Sequence, residues 1–203
     1  MFWEPGDLPQ SLAHNPFKAI VSPRPIGWIS TLDAQGTPNL APYSFFNAIS
    51  DDPPMVIFSQ SGRKIGIDED KDTVRNIRET KEFCVNIVSE TLKDAMNISS
   101  GQQPAGVDEF QAAGLKKGRA KTIAVPFVQE APAVLECTLW KEIILPGQDC
   151  VAMIGLVTGI HIDTAFLVNG IFDVRGYKPL ARLGYRDYSV VRDLISLNRP
   201  GQT

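Results

Sequence analysis

Two strand-like stretches near the start of the chain constrain its fold more than any other feature. Residues 24–31 read Arg-Pro-Ile-Gly-Trp-Ile-Ser-Thr, and residues 39–47 read Asn-Leu-Ala-Pro-Tyr-Ser-Phe-Phe-Asn, with the turn-rich sequence Asp-Ala-Gln-Gly at 33–36. Apolar runs on both sides of such a turn predict two strands. The second run places Asn and Ser among aromatic residues, and a buried amide or hydroxyl without a partner costs roughly 1–3 kcal/mol. A flat heteroaromatic ligand with hydrogen-bonding edges would supply such partners.

The rest of the chain predicts a mainly β protein with short helices. Apolar runs at 18–21, 55–58, 83–88, 133–144 and 150–162 are typical of strands, and Pro-Gly-Gln-Asp at 146–149 predicts a hairpin turn. Short helices are predicted at 73–81, after Ser89, at 108–113 and at 190–197. This pattern favours a β-barrel over a doubly wound α/β sheet, and by itself it leaves barrel and sandwich open.

Length and composition indicate one domain. A chain of 203 residues can bury a full core, and 43% apolar with 21% charged residues argues against disorder. The proline-containing residues 1–15 predict an N-terminal arm, and residues 16–198 predict the domain itself. Within it, the Gly-, Gln- and Lys-rich residues 99–121 predict an insertion or lid. The net charge of −3 gives no basic surface, so no nucleic-acid partner is expected.

The sequence also predicts the compartment. No apolar run approaches the roughly 20 residues of a membrane helix, and the first residues lack the basic start of a signal peptide. We therefore expect a cytoplasmic protein with no membrane partner. Cys84, Cys137 and Cys150 are widely spaced in apolar segments, so we expect buried thiols and no disulfide.

A group of hydroxyl and basic side chains predicts a phosphate site. It comprises Ser59, Ser61, Arg63, Lys71 and Thr73. Phosphate is bound by hydroxyls, cations and the free amides of a helix N-terminus, and Lys71-Asp72-Thr73 opens a predicted helix. The alternative is that Asp72 simply caps this helix while Lys71 and Arg63 face solvent. The acidic residues 68–70 count against the site unless their side chains turn outward.

Three sequence blocks together resemble a known family. The blocks at 24–31 and 39–47 are followed by Lys-Asp-Thr-Val-Arg-Asn-Ile at 71–77. In this order they resemble the flavin reductase-like family, which includes flavoredoxin-type proteins, and the resemblance covers residues 15 to 190. It implies an FMN-binding split β-barrel of the Greek-key type in a single domain. It also assigns the predicted phosphate site to FMN.

The resemblance implies a set of residues around the isoalloxazine ring of FMN. These are Trp28, Ser30, Thr31, Ser44, Phe45, Phe46 and Asn47, with Arg182 and Tyr185 near the C-terminus. Neighbouring residues of a strand point to opposite faces, so one of Phe45 and Phe46 is expected in the core. For Trp28, core packing and ring contact are both open. Family members often carry Arg-Leu-Gly-Gly where this chain has Tyr185 after Gly184, so Tyr185 would cover the flavin or narrow the space for nicotinamide.

His161 is the one candidate catalytic side chain. It alternates with apolar residues late in a strand, where a histidine is usually structural, and the functional alternative is a donor near the flavin or the nicotinamide. Two distant histidines and scattered cysteines predict no metal site. Motifs of dinucleotide-binding, P-loop and hydrolase enzymes are absent from the sequence.

The resemblance implies an oxidoreductase that works as a homodimer. NAD(P)H would reduce FMN, and the flavin would pass electrons to a small-molecule redox substrate or to a partner oxidoreductase. One alternative is a flavoredoxin-like electron carrier that holds FMN without nicotinamide activity. A second is a barrel that has lost its cofactor and serves as an interaction module.

Overall fold

The computed structural model describes residues 1–62, 70–101 and 106–201 of the chain. Its strands are β1 (Arg24–Pro25), β2 (Gly27–Leu32), β3 (Pro38–Tyr43), β4 (Phe46–Asp51), β5 (Pro54–Gln60), β6 (Glu82–Ile87), β7 (Lys117–Gly118), β8 (Phe127–Val128), β9 (Ala133–Ile144), β10 (Val151–Ile162), β11 (Leu167–Val168), β12 (Ile171–Phe172), β13 (Leu180–Arg182) and β14 (Tyr188–Val190). Its helices are α1 (Phe17–Ile20), α2 (Asp72–Thr80), α3 (Lys93–Ser99), α4 (Glu109–Ala112) and α5 (Val174–Tyr177), with 3-10 turns at Glu90–Leu92 and Thr164–Phe166.

Seven antiparallel strands form the main sheet, in the order β3-β2-β6-β9-β10-β5-β4. The two edge strands, β3 and β4, are consecutive in the chain and are joined only by Ser44 and Phe45. The chain therefore crosses between the two edges of the sheet in two residues, and the amide of Ser59 donates to the carbonyl of Phe45 at 2.8 Å. The sheet is not closed, because the described strands form no ladder between β3 and β4. This arrangement confirms the predicted mainly β fold and its split barrel.

The sheet is covered on both faces at β2 and β6. Alternate residues point to opposite sides of a strand, so Trp28 and Cys84 enter one core cluster while Ile29 and Val85 enter the other. Helices α3 and α4 lie on the first side, where Phe110 is fully buried. Helix α2 covers the second side. Both clusters share strands of one sheet, which confirms the single domain.

The long strands and most helices lie where the sequence predicts them. Strands β9 and β10 match the predicted runs 133–144 and 150–162 within a residue. Helix α4 begins after Asp108, whose carboxylate accepts from the amides of Phe110 and Gln111. The predicted run 39–47 is broken at Ser44 into β3 and β4, which belong to opposite edges of the sheet. That the 99–121 region is an insertion or lid stays a prediction.

Three local predictions are wrong. Residues 17–20 form helix α1 and not a strand, because the amides of Ala19 and Ile20 donate to the carbonyl of Pro16. Residues 191–199 form no helix, since Val190 is taken into the ladder with Leu180 and the chain beyond it runs without regular structure. Lys71 and not Asp72 occupies the N-cap position of α2.

Cys84 and Cys137 are buried in the two core clusters, and Cys150 is half-buried. Burial raises the pKa of both buried thiols far above the ordinary value. Among the described helices, none has the length and apolar character needed to cross a bilayer.

Candidate functional site

Two adjoining cavities open where the edge strands of the sheet meet helices α1 and α2. The main cavity has a volume of about 490 Å³, and the side cavity has a volume of about 270 Å³. Both are lined by Lys18, Pro42, Tyr43, Ser44 and Ser100, so they form one continuous groove. Burial raises the pKa of Tyr43 to about 12, which keeps its hydroxyl protonated.

One end of the main cavity brings together the predicted phosphate residues. Ser59 and Ser61 come from the end of β5, and Lys71 and Thr73 come from the start of α2. Burial lowers the pKa of Lys71, and the nearby amine of Lys18 lowers it further. Two like charges near one cavity are unfavourable until an anion enters it. Arg63 lies outside the described residues.

The N-terminus of α2 borders this cavity, which Lys71, Asp72 and Thr73 line. Lys71 at the N-cap position makes no side-chain cap, and the first amides of a helix have no intrahelical acceptor. The Asp72 carboxylate accepts from Arg75 Nη2, three residues further along the helix, at 2.5 Å. The capping role predicted for Asp72 is therefore replaced by an ion pair one turn along the helix.

A buried polar network fixes the start of α2 on the sheet. Asn39 Nδ2 donates to Thr73 Oγ1 at 2.9 Å, and Asn76 Nδ2 donates to Thr31 Oγ1 at 3.0 Å. All four side chains are buried. Thr31, which the resemblance placed at the ring, lies beneath the helix and outside both cavities. Its hydroxyl positions α2, and with it Lys71.

The link between β3 and β4 forms the floor between the two cavities. Ser44 lines both, and Phe45 lines the main cavity. The Nζ of Lys18 and the Cζ of Arg24 each lie 5.9 Å from the centre of the Phe45 ring. A planar ligand that reaches this link would therefore lie next to the Phe45 ring and close to both cations.

Phe46 and Asn47 are not on the groove. The Phe46 ring packs against Gly27, where a Cβ would lie 2.7 Å from it, and it joins the second core cluster. Asn47 is exposed on β4, and its Oδ1 accepts from the amide of Ala48 at 3.0 Å. The expectation that one member of the Phe45–Phe46 pair belongs to the core is met by Phe46.

Trp28 and Ser30 are core residues. Neither side chain has any exposed surface. Trp28 Nε1 donates to Ser99 Oγ at 2.8 Å, and Ser30 Oγ donates to the carbonyl of Pro126 at 2.7 Å. The protein itself supplies the polar partners of these two side chains, which the resemblance placed at the flavin ring.

His161 lies away from the groove, on β10. Its Nε2 is hydrogen-bonded to Glu136 Oε1, and its ring lies 4.5 Å from that of Phe127. Since His161 lines neither cavity, the structure supports its structural reading.

Arg182 and Tyr185 line the side cavity. Tyr185 is 52% exposed, and its φ of 56° lies in the left-handed region that favours glycine. The backbone thus adopts a conformation that glycine favours, although a tyrosine stands there. The carbonyl of Tyr185 accepts from Arg182 Nη2 at 2.6 Å.

Several groove residues were missed by the sequence analysis. Gln60 is 3% exposed and lines the main cavity between the two predicted serines, and its Oε1 has no hydrogen-bond partner in the described structure. Glu109 lines the same cavity, where its Oε2 accepts from the amide of Leu40 at 3.1 Å. Burial raises the pKa of Glu109. The signal for Gln60 was its position between Ser59 and Ser61, whereas nothing local marks Glu109.

The groove is suited to binding an anionic, partly planar molecule. Hydroxyls and the amine of Lys71 line the main cavity, together with the carboxyl groups of Asp72 and Glu109, and aromatic and cationic groups line the side cavity. Among the described residues there is no cluster of three metal-ligating side chains.

Comparison with known proteins places this fold and groove in a family. The sequence profile described as "Flavin reductase like domain" matches residues 21–181. An uncharacterized protein of Aquifex aeolicus (strain VF5) is 38% identical over 172 residues, which cover 83% of this chain and 85% of that protein.

Two solved structures are similar over nearly their whole length. Nitrilotriacetate monooxygenase component B from Bacillus cereus has a TM-score of 0.87 and 30% identity, covering 97% of this chain and 98% of that chain. The 2-nitrobenzoate 2-nitroreductase NbaA of Pseudomonas fluorescens has a TM-score of 0.85 and 27% identity, covering 99% and 97%. With the profile match across most of its length, the chain belongs to the flavin reductase-like family.

Proposed function

We propose that the protein is an FMN-binding oxidoreductase in which NAD(P)H reduces the flavin and the flavin passes electrons to an acceptor. The observation that carries this proposal is the convergence of Ser59, Ser61, Lys71 and Thr73 on one cavity. These residues come from two separate elements, and together they present the donors that a flavin phosphate needs. Membership of a flavin reductase-like family supports the same cofactor.

The residues of the main cavity fit the rest of FMN as well. The unpartnered Oε1 of Gln60 is a buried acceptor, and a ribityl hydroxyl of FMN is a donor of the kind that would satisfy it. Ser44 and Phe45 lie further along the groove, where they would orient the ring. Pro42, which also lines the groove, has no backbone donor and leaves this wall apolar.

When bound, FMN supplies the redox chemistry by accepting a hydride and giving up electrons. The chain's own residues bind and orient. Lys71 and the α2 amides would neutralise the phosphate charge, and the network of Asn39, Thr31 and Asn76 would keep these donors in place. No side chain is assigned a proton-transfer step. His161, the earlier candidate, lines neither cavity.

The acceptor is proposed by analogy with the similar structures. One is named as a component of a monooxygenase, and the other as a nitroreductase. A partner oxidoreductase or a small-molecule redox substrate is therefore the proposed acceptor.

We also propose that the protein works as a homodimer. Sedimentation should give twice the mass of one chain, which is 22.3 kDa. A mass near that of one chain would contradict the dimer.

An anaerobic spectrum tests the function. The purified protein, loaded with FMN and freed of excess by gel filtration, should show a flavin absorbance band. We expect NADH or NADPH to bleach this band without oxygen. A band that bleaches only with dithionite would identify the electron carrier in place of the reductase. A protein that retains no FMN would contradict the flavin site and favour the interaction module.

A further inference from the structure

The side cavity concentrates positive charge, of which only Lys18 is shared with the described lining of the main cavity. Lys18, Arg24 and Arg182 all line it, and no Asp or Glu does. Within the described part of the chain, none of these three cations takes part in an ion pair. Three uncompensated cations around about 270 Å³ create a strong local preference for an anion.

Arg24 is the buried member of this charge cluster, and hydrogen bonds fix its guanidinium group. Its side chain is only 6% exposed. Its Nη2 donates to the carbonyl of Leu183 at 2.8 Å, its Nη1 bonds the carbonyls of Lys18 and Val21, and its Nε has no acceptor among the described residues. Carbonyl oxygens fix the orientation of the guanidinium but leave its charge unbalanced. A buried charge without a counter-ion is costly.

Arg182 stands directly across from Arg24. The two residues are partners in the β1–β13 ladder, and like charges at such positions repel. Burial lowers the pKa of Arg24, and the charge of Arg182 lowers it further. Arg182 is held in place by Tyr188, whose ring centre lies 4.4 Å from its Cζ, and by the carbonyl of Tyr185. An oxyanion between the guanidinium groups would relieve this repulsion.

The remaining walls of the side cavity are mainly apolar or aromatic. Most of the remaining lining is Ile26, Pro42, Met96, Leu183 and three tyrosines, Tyr43, Tyr185 and Tyr188, and the two serines Ser44 and Ser100 complete it. Such walls suit a flat apolar body, and the small volume suits a single ring. The cations then define where the anionic group of that body would lie.

We propose that the side cavity is an oxyanion subsite that holds the anionic group of the flavin's reaction partner, with a small aromatic carboxylate as the ligand. The subsite shares Lys18, Pro42 and Ser44 with the main cavity, so its ligand would lie beside the flavin. The identity of the ligand as a reaction partner rests on the proposed function, but oxyanion binding itself does not. The diphosphate of a nicotinamide dinucleotide is the other oxyanion that the same cations could bind.

Calorimetric titration of the FMN-loaded protein tests the subsite. Benzoate is the probe, and benzamide is its neutral match in shape. We expect benzoate to bind about tenfold more tightly than benzamide, because charge-assisted bonds to guanidinium are the stronger ones. Arg182→Gln should abolish this preference, whereas Arg186→Gln, which changes an exposed arginine of the same turn, should leave it intact. Urea unfolding of both variants establishes that they are folded.

The arms of the experiment separate the sources of the oxyanion. Tighter binding of inorganic pyrophosphate than of benzoate, with the same dependence on Arg182, would support the subsite and assign it to a dinucleotide diphosphate. Equal binding of benzoate and benzamide, or equal effects of the two arginine variants, would overturn the proposal. In a separate titration of the flavin-free protein, displacement of benzoate by FMN but not by riboflavin would also overturn it, because the cations would then hold the flavin's own phosphate.

FMN uptake is measured first and separately. Failure to take up FMN contradicts the proposed function, and the benzoate titration is then made on the flavin-free protein. In that case a benzoate preference that depends on Arg182 still supports the oxyanion subsite, and its absence still overturns it.

Discussion

Glu136 is a fully buried carboxylate. Its two oxygens accept hydrogen bonds from one segment of the chain and from one histidine. It accepts from the amide of Lys121 at 2.8 Å, from the amide and hydroxyl of Thr122 at 2.6 and 2.5 Å, and from His161. Burial alone would raise its pKa, but these bonds outweigh burial and lower the pKa from 4.5 to about 2. Glu136 thus ties the chain before β8 to strands β9 and β10.

Replacing Glu136 by Gln should destabilise the fold at neutral pH. The new amide group would face backbone donors, so we expect a loss of about 2 kcal/mol in the free energy of unfolding. Because the folded pKa is depressed, the contribution of Glu136 is complete above pH 4.5 and is lost as the pH falls toward 2. Urea unfolding should therefore show the variant and the wild type converging as the solution is acidified.

Glu130→Gln serves as the control for this prediction. Glu130 is exposed, and among the described residues it accepts only from the amide of Lys116. Its replacement should change stability by about 0.5 kcal/mol or less. A gap between Glu136→Gln and wild type that stays constant down to acid pH would contradict the account of Glu136.

Single residues also show why part of the candidate site could not be predicted from sequence. The resemblance placed Ser30 and Thr31 at the flavin ring, but their hydrogen-bond partners are Pro126 and Asn76, far away in the chain. Sequence spacing carries no information on such tertiary contacts. Lys71 and Thr73 were predictable because their chemistry depends on a helix start, which is a local feature.

At the scale of elements, a close contact between α1 and the β13–β14 turn shapes the groove. Gly184 is buried against α1, and a Cβ placed on it would lie 2.4 Å from Ala19 Cβ and 2.8 Å from Ala19 Cα. The backbone atom cannot move aside without moving the helix. Since α1 carries Lys18, the absence of a side chain at Gly184 positions Lys18 beside Arg24.

Gly184→Ala should therefore displace α1 and weaken both the fold and the groove. Overpacking of this kind costs about 1–3 kcal/mol, and urea unfolding should show it. We also expect a loss of benzoate affinity in the calorimetric titration. Gly176→Ala is the matched control, because the nearest atom to a Cβ there is a side-chain atom, the Cδ1 of Phe166 at 3.2 Å, and not backbone. Equal behaviour of the two alanine variants would contradict this role of Gly184.

The elements that sequence predicted well are those with a long or periodic apolar pattern. Strands β9 and β10 are apolar-rich runs of twelve residues each, and α2 places Val74 and Ile77 on one buried face. Helix α1 and the C-terminal segment have only four to eight residues of weak pattern, so longer-range pairing decides them. Val190 pairs with Leu180 in a ladder that the local sequence does not reveal.

For the whole molecule, the open seam of the sheet is where the groove forms. Strands β3 and β4 form the two edges of the sheet, and the described strands show no pairing between them. The Ser44–Phe45 link crosses the gap between these edges. Ser44 and Phe45, with Ser59 from β5, thereby reach the groove next to α2. The sequence pattern could not distinguish a barrel from a sandwich, and only the resemblance to a family selected the split barrel.

The most direct test of the central claim compares FMN with riboflavin, which lacks the phosphate. The dissociation constants of both are measured by fluorescence titration for the wild type, Lys71→Met and the control Lys93→Met, whose lysine is exposed on α3. If the cavity at the start of α2 holds the phosphate, the wild type and the control should bind FMN at least about tenfold more tightly than riboflavin. Lys71→Met should lose most of that preference with little change for riboflavin. An undiminished preference for FMN in Lys71→Met, or equal binding of the two flavins by the wild type, would contradict the site.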